Sequence, residues 1–204
     1  MKQTTLTLMA GTLLLTATLA SRGKKQKKEN DNEQTTEQPK TDGTAAQGNA
    51  ADCAATAVTF KSGDVNSDGF EIKYSEAKLW DMASGDVKYP AIVIMVANYT
   101  PSGSYLQEPA TDKEMRVMIT LSGKAGEPLK TGDYDIANES GFGAGYGVNA
   151  SVHTQGKASA FINAKGKATI TYLSADKVCG TIDVSDSNTS IKGSFSIKLE
   201  KSGY

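Results

Sequence analysis

The feature that most constrains the fold is an alternation of apolar and polar residues that recurs from residue 56 to the end of the chain. Successive side chains of a β-strand point to opposite faces, so a period of two predicts strands with one buried and one exposed face. No long stretch keeps an apolar stripe at helical spacing. The clearest alternation is Ile191, Gly193, Phe195, Ile197 and Leu199. The sequence therefore predicts an all-β domain.

The run at residues 91–97 is apolar without alternation, which predicts a central strand that is covered on both faces. Segments rich in Gly, Asp, Asn and Ser separate the apolar runs and indicate turns. We therefore predict that residues 53–204 form a single domain, an antiparallel two-layer β-sandwich of about eight or nine strands that ends in a meander.

The first 21 residues have the pattern of an export signal. A positive start at Lys2 precedes an uncharged, largely apolar stretch at residues 4–20, and small residues follow at its end. A membrane-spanning helix is the weaker alternative, because the stretch carries several threonines where strongly apolar residues are needed. Residues 1–21 are therefore predicted to be a signal peptide.

Residues 19–25 read Leu-Ala-Ser-Arg-Gly-Lys-Lys. This segment resembles the cleavage region of bacterial lipoproteins, in which a leucine and two small residues precede a lipid-bearing cysteine. The resemblance implies a bacterial envelope protein, yet Arg22 occupies the cysteine position and has no thiol to accept a lipid. Two interpretations stay open: Arg22 is a substitution in a lipoprotein, or the chain is cut after Ala20 and released.

Residues 22–52 contain no Val, Ile, Leu, Met or aromatic residue. Such a stretch cannot offset the entropy of ordering, so we predict a disordered polar tether. Its basic start could contact anionic lipid headgroups, and we expect membrane contact only through this N-terminal segment. The predicted location is outside the cytoplasm, in the periplasm, at the outer membrane or on the cell surface of a bacterium.

The charges are nearly balanced, with 22 Lys and Arg against 23 Asp and Glu. A nucleic-acid partner is therefore not expected. Cys53 and Cys179 are the only cysteines, and an even number in an exported chain favours a disulfide over two free thiols. Alternation places Cys179 on the face opposite Val178 and Gly180.

Residues 64–69 place Asp64, Asn66 and Asp68 at alternate positions before a glycine. The segment resembles the first half of the calcium loops of EF-hand and dockerin proteins. Ser75 stands where the last ligand of such a loop would be, and the same residues also suit a hairpin turn. We predict no cofactor, with calcium at this loop as the one alternative.

Five aromatic residues are candidates for ligand binding: Trp80, Tyr99, Tyr105, Phe142 and Tyr146. The last two lie in a glycine-rich stretch at residues 141–147, which has no following helix to form a phosphate-binding loop. Aromatic rings stack on sugars, so these residues suggest carbohydrate binding. The alternative is that they pack in the core and at its edges.

His153 is the only histidine and lies on the polar face of its strand with Asn149 and Ser151. No motif of a known catalytic nucleophile or metal site accompanies it, so we interpret it as a solvated strand residue and predict no catalytic residue. The predicted function is a non-catalytic interaction or structural module of the envelope, with an envelope protein or a glycan as partner. The alternatives are a carbohydrate-binding sandwich or a hydrolase without a recognisable motif.

Overall fold

The computed structural model describes residues 46–103, 107–136, 143–161 and 164–201. The predicted signal peptide and most of the predicted tether lie outside these ranges. The described residues form an all-β fold.

Twelve strands and one short 3₁₀-helix, Ala50–Asp52, make up the regular structure of the described residues. No helix in this part of the chain is long and apolar enough to cross a membrane. The strands are β1 (Gln47–Gly48), β2 (Ala57–Ser62), β3 (Val65–Asn66), β4 (Tyr74–Ser84), β5 (Val87–Ala97), β6 (Arg116–Ser122), β7 (Gly132–Ile136), β8 (Gly147–Thr154), β9 (Lys157–Ala160), β10 (Lys165–Leu173), β11 (Lys177–Ser185) and β12 (Thr189–Lys201). There are more strands than the eight or nine that the sequence predicts, because β1, β3 and β9 are too short for a period of two to be visible.

The sheet is mixed rather than wholly antiparallel, which corrects the prediction. Strand β12 pairs with β4 in parallel, and so does β7 with β8, whereas the other ladders are antiparallel. A short turn can join only antiparallel neighbours, so the turn signals in the sequence reveal that kind of pairing alone. The parallel pairs join strands that no tight hairpin connects, and the sequence carries no local sign of them.

Eight of the strands form a closed ring of hydrogen-bonded neighbours, in the order β4, β5, β6, β8, β7, β10, β11, β12 and back to β4. The last three strands in the chain form an antiparallel meander within this ring. Strands β1, β2 and β9 pair with ring strands as extensions, and β3 pairs with β2. Closing the ring pairs backbone groups that would otherwise be left at exposed sheet edges.

One hydrophobic core collects the alternating residues of the ring strands. On β5, Ile92, Ile94 and Val96 belong to this core, whereas Val93 and Met95 on the opposite face are also buried. Both faces of the strand are thus covered, as the absence of alternation predicts. The largest fully buried apolar side chains are Tyr134, Phe195, Ile92, Ile94, Met95, Ile119, Leu121, Ile170 and Ile191.

Strand pairing begins before residue 53, the residue at which the sequence predicts that the domain starts. Residues 47–56, which we call the N-terminal strap, run from β10 across β11 to β12. Strand β1 pairs with the end of β10, and Ser194 on β12 donates a hydrogen bond to the carbonyl of Ala55 at 2.6 Å. Thr56 bonds the backbone N–H and C=O of Ser196 through its hydroxyl. The strap holds no large apolar residue, so its sequence carries no apolar pattern that would reveal this contact.

Candidate functional site

Four polar side chains meet on the outer face of β6 and β8 and form what we call the His153 cluster: Glu108, Arg116, Ser151 and His153. Arg116 begins β6 and lies opposite His153 in the β6–β8 ladder. Ser151 shares the face of His153 because it lies two residues earlier on the same strand. Glu108 reaches the cluster from the loop that precedes β6.

Hydrogen bonds join the four side chains in series. Ser151 Oγ lies 2.8 Å from His153 Nε2, and His153 Nδ1 lies 3.1 Å from Glu108 Oε2. Arg116 Nη2 donates to Glu108 Oε1 at 2.6 Å. The His153 side chain is 12% exposed, so it differs from the solvated residue that the sequence predicts. The residues that cover and bind it are distant in sequence, and no local pattern indicates them.

Arg116 is the most deeply buried charge of the cluster, with 1% of its side chain exposed. Its Nη1 donates to the carbonyl of Gln107 at 2.9 Å. The salt bridge to Glu108 offsets part of the cost of burying the guanidinium, although its Nε has no hydrogen-bond partner in the part of the chain that the structure describes. Sequence reasoning missed both Glu108 and Arg116. Arg116 could have been singled out as a charge at the start of a strongly apolar strand.

Hydrogen bonds from residues beside the cluster also fasten the loop at residues 107–115 to the sheet. Tyr99 donates its hydroxyl to the carbonyl of Gln107 at 2.7 Å, and Met115 N donates to Asn98 Oδ1 at 2.7 Å. Tyr99 is only 7% exposed. This ring therefore packs beneath the loop and is not an exposed stacking platform for a ligand.

Burial and neighbouring charges set the protonation states in the cluster. Burial lowers the pKa of His153 from its ordinary value, and the charge of Arg116 lowers it further against the opposing effect of Glu108. Burial alone would raise the pKa of Glu108, but hydrogen bonds from His153 and Arg116, together with their charges, outweigh it and lower that pKa. Near neutral pH the cluster therefore holds a neutral imidazole, a carboxylate and a guanidinium.

The neutral imidazole has two possible tautomers, and they differ in what His153 can do. Nδ1 lies 3.1 Å from Glu108 Oε2, which only accepts, and 3.0 Å from Arg116 Nη2, which only donates. With its proton on Nδ1, His153 donates to Glu108, and Nε2 is left to accept from Ser151. With its proton on Nε2, His153 accepts from Arg116 and donates to Ser151. Only the first tautomer makes His153 a base for Ser151.

A second candidate site is a depression of about 380 Å³ at the end of the β4–β5 hairpin. Pockets that hold small ligands begin at roughly 300 Å³. The residues that line it are Asp81, Met82, Ala83, Lys88, Tyr89 and Pro90. It thus combines one acidic and one basic side chain with apolar surface.

Trp80 and Tyr99 do not form one platform. Trp80 is paired with Ala91, whereas Tyr99 follows the other end of β5, beyond Ala97. The six steps of extended strand from Ala91 to Ala97 alone span roughly 20 Å. Trp80 instead directly precedes Asp81 of the hairpin depression.

Tyr146 is held by packing and hydrogen bonds. Its ring meets Tyr134 edge to face at 5.5 Å between centroids, and Lys130 Nζ lies 4.3 Å from the ring centroid. Its hydroxyl donates to the carbonyl of Pro128 at 3.0 Å. The ammonium group of Lys130 thus already lies over one face of the Tyr146 ring, which leaves less of that face free for a sugar to stack on. Tyr105 and Phe142 lie outside the described residues.

The predicted calcium loop forms the β2–β3 hairpin and the turn that follows it. Asp64 lies in the two-residue loop between the strands, and Asn66 Oδ1 accepts a hydrogen bond from the backbone N–H of Asp68 at 2.9 Å. Among the described residues, no three or more His, Cys, Asp and Glu side chains are grouped as metal ligands would be. Calcium binding stays the alternative to the hairpin turn for this loop.

Cys53 and Cys179 form a disulfide, with 5.4 Å between their Cα atoms. Cys179 is fully buried on the face of β11 opposite the core residues Val178 and Ile182, in agreement with the face that alternation predicts. The bond fastens the N-terminal strap to the middle of the meander. It indicates an oxidising environment such as exported proteins meet.

No protein-family model, no curated protein and no solved structure matches this chain.

Proposed function

We propose that this protein is an exported, envelope-associated interaction module that is held by its N-terminal segment and binds an envelope protein or a glycan through the hairpin depression. The observation that carries the proposal is the covalent bond between Cys53 and Cys179. It fixes the base of the predicted tether to the domain, which suits a module that works at the end of a tether. We also propose that the strands pack as the two-layer sandwich that the sequence predicts.

The depression suits a ligand that offers both polar and apolar surface. Asp81 and Lys88 supply one acceptor and one donor group of opposite charge, and Pro90 and Met82 supply apolar contact area. Sugars present hydroxyl groups around apolar C–H faces, so this combination favours the carbohydrate-binding alternative. Trp80, which lies next to Asp81 on β4, is the aromatic candidate closest in sequence to this site.

The test is binding to a panel of immobilised envelope glycans and to detergent-solubilised envelope proteins. We expect the double variant Asp81→Ala, Lys88→Ala to lose at least tenfold in affinity for whichever ligand the native chain retains. Asp183 and Lys192 form an exposed ion pair on β11 and β12, with 64% and 61% of their side chains exposed. Their double alanine variant is the matched control and should bind as the native chain does. Equal affinity of both double variants would show that the depression is not the binding site.

A further inference from the structure

We propose that Ser151, His153 and Glu108 form a hydrogen-bonded relay that makes Ser151 a nucleophile toward small acyl esters. This activity goes beyond the binding function proposed above and uses a different face of the domain.

The relay has the order of groups that nucleophilic serine catalysis needs. A serine hydroxyl must lie within hydrogen-bond distance of an imidazole nitrogen, and a carboxylate must hold the other nitrogen. Here those distances are 2.8 Å from Ser151 Oγ to Nε2 and 3.1 Å from Nδ1 to Glu108 Oε2. The serine and the carboxylate therefore lie at different nitrogens of the imidazole, as the relay requires.

The backbone fixes two of the three groups. Ser151 and His153 lie in the second half of β8, where the strand is paired with β6 on one side and β9 on the other. Strand positions of this kind hold side chains more firmly than loop positions do. Glu108 comes from a loop, but its other carboxylate oxygen, Oε1, accepts a hydrogen bond from Arg116, which lies within the sheet. Arg116 therefore acts as a positioning residue for Glu108.

Burial prepares the imidazole to act as a base. With its pKa lowered by burial and by Arg116, His153 is neutral near pH 7 and can accept a proton. The relay needs the tautomer that carries its proton on Nδ1. The ionised Glu108 stabilises this tautomer and opposes the effect of Arg116 Nη2, a donor 3.0 Å from the same nitrogen. Glu108 would also stabilise the imidazolium that forms during reaction. This tautomer leaves the lone pair of Nε2 directed at Ser151.

The neighbours of Ser151 indicate the size of the substrate. Met118 lies opposite Ser151 on β6, and Ala160 lies opposite it on β9. Met118 is half-buried and offers apolar surface beside the hydroxyl. An ester with a short acyl chain fits this setting, because the chain could contact Met118 while the carbonyl carbon reaches Oγ.

The reaction balances without a cofactor. Ser151 Oγ bonds to the carbonyl carbon of the ester while its proton passes to His153 Nε2. The bond to the leaving alcohol then breaks, and the alcohol takes that proton. Water attacks the acyl-serine, gives a proton to Nε2 and releases the carboxylic acid, and Nε2 returns the proton to Ser151 Oγ.

The first experiment is labelling of the full chain with a fluorophosphonate. A nucleophilic serine oxygen displaces fluoride from the phosphorus of this reagent and stays bonded to it. We expect a single adduct on the peptide that contains Ser151, located by mass spectrometry, and hydrolysis of 4-nitrophenyl acetate. Ser151→Ala should abolish the adduct, and His153→Gln should slow labelling at least a hundredfold. Ser84→Ala, at the exposed end of β4, is the matched serine control and should label at the native rate.

The second experiment separates a relay from a purely structural cluster, and its first measurement uses only the native chain. His153 is the only histidine, so one ¹⁵N-labelled imidazole gives one pair of nitrogen signals. We expect the proton on Nδ1 in the native chain at pH 7.5. Glu108→Gln removes the charge that favours this tautomer, so the proton should move to Nε2 and labelling should slow.

Three results would overturn the relay. They are the absence of any Ser151 adduct in the native chain, labelling of His153→Gln at the native rate, or a native imidazole protonated on Nε2. Loss of glycan or protein binding in the hairpin variants would leave labelling of Ser151 unchanged, so the two proposals fail separately.

Discussion

Arg116 Nη2 lies 3.0 Å from Nδ1 of His153, so the single histidine of the chain faces a guanidinium that is almost wholly buried. This arrangement opposes protonation of the imidazole, since a second positive charge would then lie beside the first. Glu108 moderates the repulsion but leaves the pKa of His153 below its ordinary value.

The first prediction concerns stability against pH. The pKa of His153 is lower in the folded state than its ordinary value of 6.5, so the unfolded chain binds the proton at higher pH. Stability is therefore complete above about pH 6.5 and falls as the pH drops below it. Glu108, whose pKa is also lowered, adds a loss in the same direction at more acidic pH. Urea unfolding midpoints from pH 8 to pH 5 measure the effect.

His153→Gln is the control for that series, because glutamine does not titrate. Its midpoints should stay nearly level between pH 8 and pH 6 while the native midpoints decline toward the acidic end. If the native chain and this variant show the same pH dependence, another group is responsible.

The second prediction concerns the disulfide. Cys53 and Cys179 are separated by 126 residues, and for closures of this length the chain-entropy model gives roughly 4 to 5 kcal/mol of stabilisation. The double variant Cys53→Ser, Cys179→Ser should lose about that free energy of unfolding in urea titrations. Non-reducing mass analysis of the native chain should recover no free thiol. Two free thiols in exported, oxidised protein would contradict the pairing.

The third prediction concerns anchoring at the position of Arg22. If this residue replaces a lipid-bearing cysteine, Arg22→Cys should incorporate fatty acid in a bacterial host and partition into detergent. The chain with Arg22 should do neither, because a guanidinium cannot accept the acyl groups. Equal fatty-acid incorporation by both forms would remove the basis for the lipoprotein resemblance. Arg22→Ser serves as the control without a thiol.

The fourth prediction concerns calcium at Asp64, Asn66 and Asp68. A cation bound only to the folded state raises the melting temperature, so millimolar calcium should shift the native transition upward. Asp64→Ala should remove that shift without a large change in the melting temperature measured in a chelator. A native chain that melts at the same temperature with calcium and with chelator would leave these residues with the hairpin role alone.

Local patterns predicted the parts of the fold that depend on neighbouring residues. The alternation of apolar and polar residues predicted which face of a strand each side chain occupies, and it correctly placed Cys179 on the face opposite Val178. The unbroken apolar run at residues 91–97 correctly indicated a strand buried on both faces. These predictions succeed because the period of side-chain direction along a strand is fixed by the backbone.

Relationships between distant residues could not be predicted in the same way. The His153 cluster joins Glu108 to His153 across 45 residues, and the ladder that brings Arg116 beside His153 has no signature in either strand. The parallel pairing of β4 with β12 likewise depends on how the ring closes. The interpretation of His153 as solvated followed from its alternation, which shows the face of a residue but not what covers that face.

The N-terminal strap determines how the domain would respond to mechanical load. A pull on the chain before residue 46 first loads the two-residue ladder between β1 and β10, which only hydrogen bonds hold together. It then meets Cys53, where the load passes through a covalent bond into β11 within the ring. The residues after Cys53 therefore cannot be peeled from β12 by that pull while the bond is intact. Once a reducing agent breaks the Cys53–Cys179 bond, only noncovalent contacts hold the strap to the ring.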